Sequence, residues 1–259
     1  MAKTTTIILL VSRHFLLDKV FECLEKLECD ISHTNLLVVV DGDLNLFIKT
    51  RNFVSNSKYE QRLCVRANQA NKPTSQAKKR IRVAEMHNFA SQYIQKCDYI
   101  FSIEDDGTFP PDALKKLLKH MQTYPEAGFI SGLEIGRWTT AYIGGWTFDN
   151  PSDPKQLQSV MLGDDPIIPI HAAGLYCCLI KRELYEGHKH APTHNWGADI
   201  EFGRQVSAKG YQNYMDTSIV VDHHTQQGKV INPTTTNIKH VNMVYKKGAW
   251  RFIHRVSKV

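Results

Sequence analysis

The sequence predicts an α/β fold built on a doubly wound, mostly parallel sheet, and three observations carry that prediction. Apolar or β-branched runs, each long enough for one buried strand, alternate with segments of helical period. The strongest run, Tyr99 to Ile103, ends in three carboxylates and a turn residue, Glu104-Asp105-Asp106-Gly107. Another run, Leu36 to Val40, also ends in an acid, Asp41, so carboxylates gather at the edge where doubly wound sheets bind their ligands.

Taken in order, Thr5 to Val11 is a β-branched first strand, and Leu16 to Leu27 sets Leu17, Val20, Phe21, Leu24 and Leu27 at helical spacing. Leu36 to Val40 is the second strand, so these elements form a βαβ crossover. Leu63 to Val65 predicts a short third strand, and Lys78 to Gln95 a helix with a basic start through Lys78, Lys79, Arg80 and Arg82. After the acidic turn, Pro111 and Asp112 open a helix that runs to Met121. Gly128 to Ser131 is a short strand. Residues 133–150, with Arg137, Trp138, Gly144, Gly145 and Trp146, read as hairpin or loop, in which either Trp could stack on a sugar or fill the core. Asn150 to Pro169 is dense in turn residues and predicts a mobile flap. Ile170 to Ile180 is small residues giving way to a buried strand, where small side chains either let the backbone approach a ligand closely or serve tight packing; Asn195-Trp196-Gly197-Ala198 then leads into a helix from Asp199 to Val206. Asp216 to His224 is a strand ending in two imidazoles.

A chain of 259 residues with 42% hydrophobic content can bury one large core. No apolar run approaches the roughly 20 residues of a membrane span, and the first eleven residues do not read as a signal peptide, so the expected location is cytoplasmic. The six cysteines contain no CxxC pair and read as reduced core residues, which disfavours zinc. From Thr225 onward there are seven Lys or Arg and no acid, and this basic tail accounts for the net charge of +6. The expected division is therefore a domain over 1–224 and a basic extension over 225–259. Such a tail suits phosphate on a nucleotide, a nucleic acid or a membrane surface, or is a solvated terminus.

Three acids at a strand end call for a cation, and hard divalent ions take carboxylate oxygens. Strand alternation puts Glu104 and Asp106 on one side and Asp105 on the other. The plain alternative is a solvated acidic turn. Asp41 could accept hydrogen bonds from a nucleobase imide or a ribose hydroxyl, or form an Asx-type turn with Gly42. No glycine-rich phosphate loop follows the first strand; Val11-Ser12-Arg13-His14 stands there instead. Asp199 in a helical first turn suits the helix dipole, or serves as a general base toward an acceptor hydroxyl. A histidine at the 223–224 strand edge can complete a metal site begun by the acids, or is structural.

The order of Asp41, Asn88, Glu104-Asp105-Asp106, Gly174, Gly197-Ala198-Asp199-Ile200-Glu201-Phe202, Lys209-Gly210-Tyr211, Asp216-Thr217-Ser218 and His223 resembles a glycosyltransferase of the GT-A fold, similar to family 2. The resemblance implies a Rossmann-like α/β/α sandwich with a mixed, mostly parallel sheet. It implies a nucleotide-sugar donor, UDP- or GDP-linked, with Asp41 on the base and Asp43 close by. Asp106 would bind the metal, Mn2+ or Mg2+, Glu104 would face ribose or metal, and His223 would be the added ligand. Asp105 and Gly174 join the donor-binding set, and Asp199 stands where the family keeps its base. The chain departs from the family in having Glu104 for an Asp, Ala198 for an acid, and His87 for an Arg, which leaves Arg80 or Arg82 for the diphosphate. His223 is preferred to His224 on spacing.

These implications describe an inverting, metal-dependent enzyme that moves one sugar to a hydroxyl acceptor. Two other readings compete: a transferase acting on a hydroxylated nucleic-acid base, with the tail on the phosphate backbone, and a nucleotide-sugar binder without turnover.

Overall fold

The computed structural model describes residues 3–67, 76–136, 141–193, 196–246 and 249–254. Strand β1 (Thr5–Val11) is buried along its whole length, as a continuous apolar run in a sheet covered on both faces must be. Side-chain alternation divides the core: Ile7, Leu9 and Val11 pack with helix α1 (Leu17–Lys26), and Ile8 and Leu10 face the other way. Strand β2 (Thr34–Val40), helix α2 (Leu44–Asn56) and strand β3 (Arg62–Arg66) follow, with β1, β2 and β3 parallel. The sequence pattern did not announce α2. Its start is a cap, in which the Asp43 carboxylate accepts the Leu46 amide at 2.8 Å.

Helix α3 (Gln76–Ser91), strand β4 (Tyr99–Glu104), the short β5 (Gly107–Thr108), helix α4 (Ala113–Thr123) and strand β6 (Ala127–Leu133) come next. Beyond them lie β7 (Ile135–Gly136), β8 (Tyr142–Ile143), β9 (Gly145–Phe148), β10 (Gln156–Ser159), β11 (Ile167–Ile170), β12 (Ala172–Ala173) and β13 (Cys177–Lys181). Helices α5 (Arg182–Glu186) and α6 (Ala198–Ala208) precede β14 (Gln212–Val220), β15 (Asp222–His224), β16 (Val230–Ile231), β17 (Val241–Lys246) and β18 (Ala249–His254).

Among the described residues the central sheet has eight strands, in the order β11-β14-β6-β13-β4-β1-β2-β3. It is mixed and mostly parallel: β13 runs against β4 and β6, and β11 against β14. Helices α1, α2 and α4 cover one face through Leu17, Leu46 and Leu117, and α3, α5 and α6 cover the other through Met86, Leu184 and Phe202. Each such side chain, fully buried, contributes about 1.5–3 kcal/mol. The result is an α/β/α sandwich.

Asn150 to Pro169 is more ordered than a flap. Its turn residues bracket β10, in a second sheet ordered β12-β9-β10-β17-β18, and lead into β11 at the edge of the central sheet, where Pro169 is tolerated. The basic C-terminal stretch enters that second sheet through β17, antiparallel to β10. Trp146 is buried there, 5.0 Å from the Tyr142 ring, so it fills core. Arg137, Trp138 and Asn195 lie outside the described residues. The six cysteines are free, and no helix among the described residues is long and apolar enough to cross a membrane.

Behind the sheet, His87 stacks on His190 at 4.8 Å, and His190 on Phe202 at 5.4 Å. Asn88 clamps the His190 peptide, donating to its carbonyl at 2.7 Å and accepting its amide at 2.8 Å. Burial lowers both imidazole pKa values, that of His87 to about 3. A histidine neutral when folded and protonated when unfolded leaves stability whole above about pH 6.5 and removes about 1.4 kcal/mol per pH unit below it, until the folded pKa is reached. Buried carboxylates of raised pKa, described below, act with opposite sign in the same window, so a comparison of variants isolates the histidines. His190→Phe, which keeps the stack, should gain on the wild type by about 1.4 kcal/mol per unit from pH 6.5 to 4.5 in urea melts. A gap that does not change with pH would contradict this account.

Candidate active site

The three carboxylates at the end of β4 have different partners. Asp105 turns under the loop after β1: its Oδ2 accepts the Ser12 and Arg13 amides at 2.5 and 2.7 Å, and its Oδ1 accepts Arg13 Nε at 2.7 Å. A buried carboxylate thus anchors the loop that stands where a phosphate-binding loop would be. Burial raises its pKa and the Arg13 guanidinium opposes that rise.

Asp106 points to the other side. Its Oδ2 accepts from Arg13 Nη1 at 2.5 Å and lies 3.2 Å from His223 Nε2. The local pairing explains the meeting of residues so far apart in sequence: β15 runs antiparallel to β5 with His223 opposite Gly107, and the Asp106 carbonyl accepts the His224 amide at 2.8 Å. His224 turns instead to the Thr108 hydroxyl, 2.9 Å from its Nε2. Of the two adjacent imidazoles, His223 faces the acid.

Behind His223 stands Glu134, which the sequence reading missed. It follows the apolar strand β6 as Glu104 closes β4, so the same signal, an acid at a buried strand's end, was there to be read. Glu134 Oε1 lies 2.8 Å from His223 Nδ1. Burial works against a charge on His223, but Glu134 and Asp106 outweigh it and raise its pKa to about 10. Glu104 is half-buried, and burial, reinforced by Asp106 and Glu134, raises its pKa to about 8. Asp199 adds to that rise, which puts it in the same electrostatic cluster. Asp199 lies in the first turn of α6. Burial raises its pKa, the Ile200 and Asp199 amides pull it down, Glu134 raises it again, and Arg80 on α3 lowers it. A carboxylate whose proton affinity burial raises in this way is better able to accept a proton.

The remaining sequence candidates sit around this cluster. Asp41 is buried and paired with Arg82 through Nε and Nη2, so Arg82 is committed to the end of β2. Asp43 caps α2 and lies 3.2 Å from His14 Nε2 at the surface. At Gly174 a Cβ would collide with the Tyr176 ring, which packs into the core. Glu201 is occupied by Arg204 at 2.7 and 2.9 Å, Gln205 at 2.8 Å and the Trp196 indole at 3.0 Å, which fixes the entry to α6. At Gly203 a Cβ would come within 2.5 Å of the Ala172 Cα, so α6 rests directly on β12.

No protein-family profile matches the chain, and no curated protein sequence does. Solved structures do match. The mannosyltransferase PcManGT from Pyrobaculum calidifontis, in complex with GDP-Man and Mn2+, superposes with a TM-score of 0.58 at 13% identity over 84% of this chain and 55% of that one. The chain has a GT-A fold. S. aureus TarS 1-349 in complex with UDP-GlcNAc matches with a TM-score of 0.51 at 7% identity over 82% of this chain, again covering 55% of the other. This GT-A chain therefore spans little more than half the length of either.

Among the described residues, no three His, Cys, Asp or Glu side chains already converge as a ligand set. The donor chemistry nevertheless fits a hard divalent ion. Asp106 Oδ2 and His223 Nε2, 3.2 Å apart, have close to the spacing of adjacent ligands around a six-coordinate ion at about 2.1–2.2 Å. Glu134 on the far nitrogen matches the carboxylate that commonly orients a metal-bound histidine.

Proposed function

We propose that this chain is a glycosyltransferase that moves a single sugar from a nucleotide-sugar donor to an acceptor hydroxyl, with inversion at the anomeric carbon. The observation that carries the reading is the meeting of Asp106 and His223 at 3.2 Å, beside Glu104 and within the field of Asp199, on a GT-A sheet. Asp106 and His223, with Glu104 beside them, would hold Mn2+ or Mg2+, which supplies positive charge to the diphosphate leaving group. Asp199 would take the proton of the acceptor hydroxyl as its oxygen bonds to the anomeric carbon and the bond to the diphosphate oxygen breaks. Asp41 and Asp43 would lie toward the base and ribose, with Arg82 holding Asp41, and Gly174 would border the sugar. Arg80, whose charge reaches Asp199, would lie toward the diphosphate.

The fold's resemblance to proteins seen with GDP-Man and UDP-GlcNAc makes both nucleotide classes the first to test. A panel of UDP- and GDP-sugars, with and without Mn2+, should yield one donor whose nucleoside diphosphate is released with metal and which raises the melting temperature. A panel in which no donor binds or turns over would refute the reading. Binding without release would favour the non-catalytic binder, and salt-dependent DNA binding would favour the nucleic-acid acceptor.

A further inference from the structure

The carboxylate best placed to hold an ion is covered. The Asp106 side chain is 1% exposed, whereas Arg13, which contacts it, is 34% exposed, so solvent meets the guanidinium in place of the acid. Arg13 Nη1 contacts the same oxygen, Asp106 Oδ2, that faces His223 Nε2. A cation entering between Asp106 and His223 therefore has to take that oxygen from Arg13. The loop itself does not depend on the contact: the Ser12 and Arg13 amides hold it to Asp105, and Arg13 Nε keeps a separate partner in Asp105 Oδ1. Nη2 also contacts Asp105 Oδ1, so only Nη1 meets Asp106, and releasing it turns the planar guanidinium away from Asp105 while the Ser12 and Arg13 amides keep the loop in place.

We propose that Arg13 is a protein-borne cation of the donor site, which covers Asp106 in the donor-free protein and moves onto a phosphate oxygen of the donor's diphosphate when a divalent ion takes its place. The proposal rests on the glycosyltransferase reading above. Without a diphosphate, the incoming ion strips Arg13 of a carboxylate and gives it nothing in return. With one, Arg13 exchanges one charge-assisted contact for another. Metal and diphosphate thus bind with positive and reciprocal coupling, and the leaving nucleoside diphosphate is neutralised from two sides.

Two binding measurements test this without turnover: Mn2+ followed by the electron paramagnetic resonance of the free ion, and UDP or GDP followed by calorimetry at fixed Mn2+. Removing the competing cation in Arg13→Gln should tighten Mn2+ alone about tenfold and weaken the nucleotide about tenfold, the size of one charge-assisted contact. A merely structural role would move both in the same direction, and either that result or unchanged affinities would overturn the proposal. Arg13→Lys keeps a charge but loses the planar fork, so it should recover part of the nucleotide affinity; should the glutamine variant fail to fold, Lys is expected to shift both affinities with the same signs, less strongly. Asp106→Asn separates the two levels of inference. If wild-type coupling between Mn2+ and nucleotide survives in Asp106→Asn, the glycosyltransferase reading of this site fails; if it is lost there but intact in Arg13→Gln, only the role of Arg13 fails.

Discussion

Asp199→Asn is expected to lower the rate of sugar transfer by about a thousandfold, within the range that a positioned base supplies. The side chain keeps its size and its place in the first turn of α6, so donor affinity should hold. Stability should hold or rise, because burial, the largest influence on Asp199, penalises the charge that asparagine lacks. The combination of lost kcat, retained donor binding and an unchanged or higher Tm distinguishes a base from a structural carboxylate. A variant keeping a tenth of the wild-type rate would assign the proton to another group.

Asp106→Asn is the second large effect, expected at about a hundredfold in transfer, with the added loss of any Mn2+ dependence of nucleotide binding. Its signature differs from that of Asp199→Asn because donor binding is the step that fails. The substitution also leaves Arg13 and His223 facing a neutral amide, and removing one partner from a buried charge cluster costs about 3–5 kcal/mol. A lower Tm should therefore accompany the lost affinity. Full Mn2+-dependent donor binding in this variant would move the ion to other ligands.

Much of the frame was legible because it depends on patterns only a few residues long. The run Thr5 to Val11 has to be a doubly covered strand, and a buried strand ending in Glu104-Asp105-Asp106 has to place acids at a sheet edge. The second helix escaped notice because its apolar stripe is thin: Leu46 and Val54 are buried while Leu44 and Ile48 are exposed. Pro and Asp around residues 150–169 hid two short strands, β10 and β11, which pair not only with the neighbouring β9 but with β17 and β14, far away in sequence. Partnerships across the site were the least legible. Nothing local to Arg13 says that it spans Asp105 and Asp106, more than ninety residues away, and nothing in the sequence around Arg82 says that it will lie on Asp41.

The seat of α6 on β12 has a consequence for the position of Asp199. Because Gly203 lets the helix touch the Ala172 backbone, the height of the helix face that carries Asp199 one turn earlier is set by one missing methyl group. Enlarging that single position would lift the carboxylate outward like a shim under a lever. If Asp199 is the base proposed above, the acceptor hydroxyl it reaches can in this way be retuned by a change of volume alone, with every polar group around it left as it is.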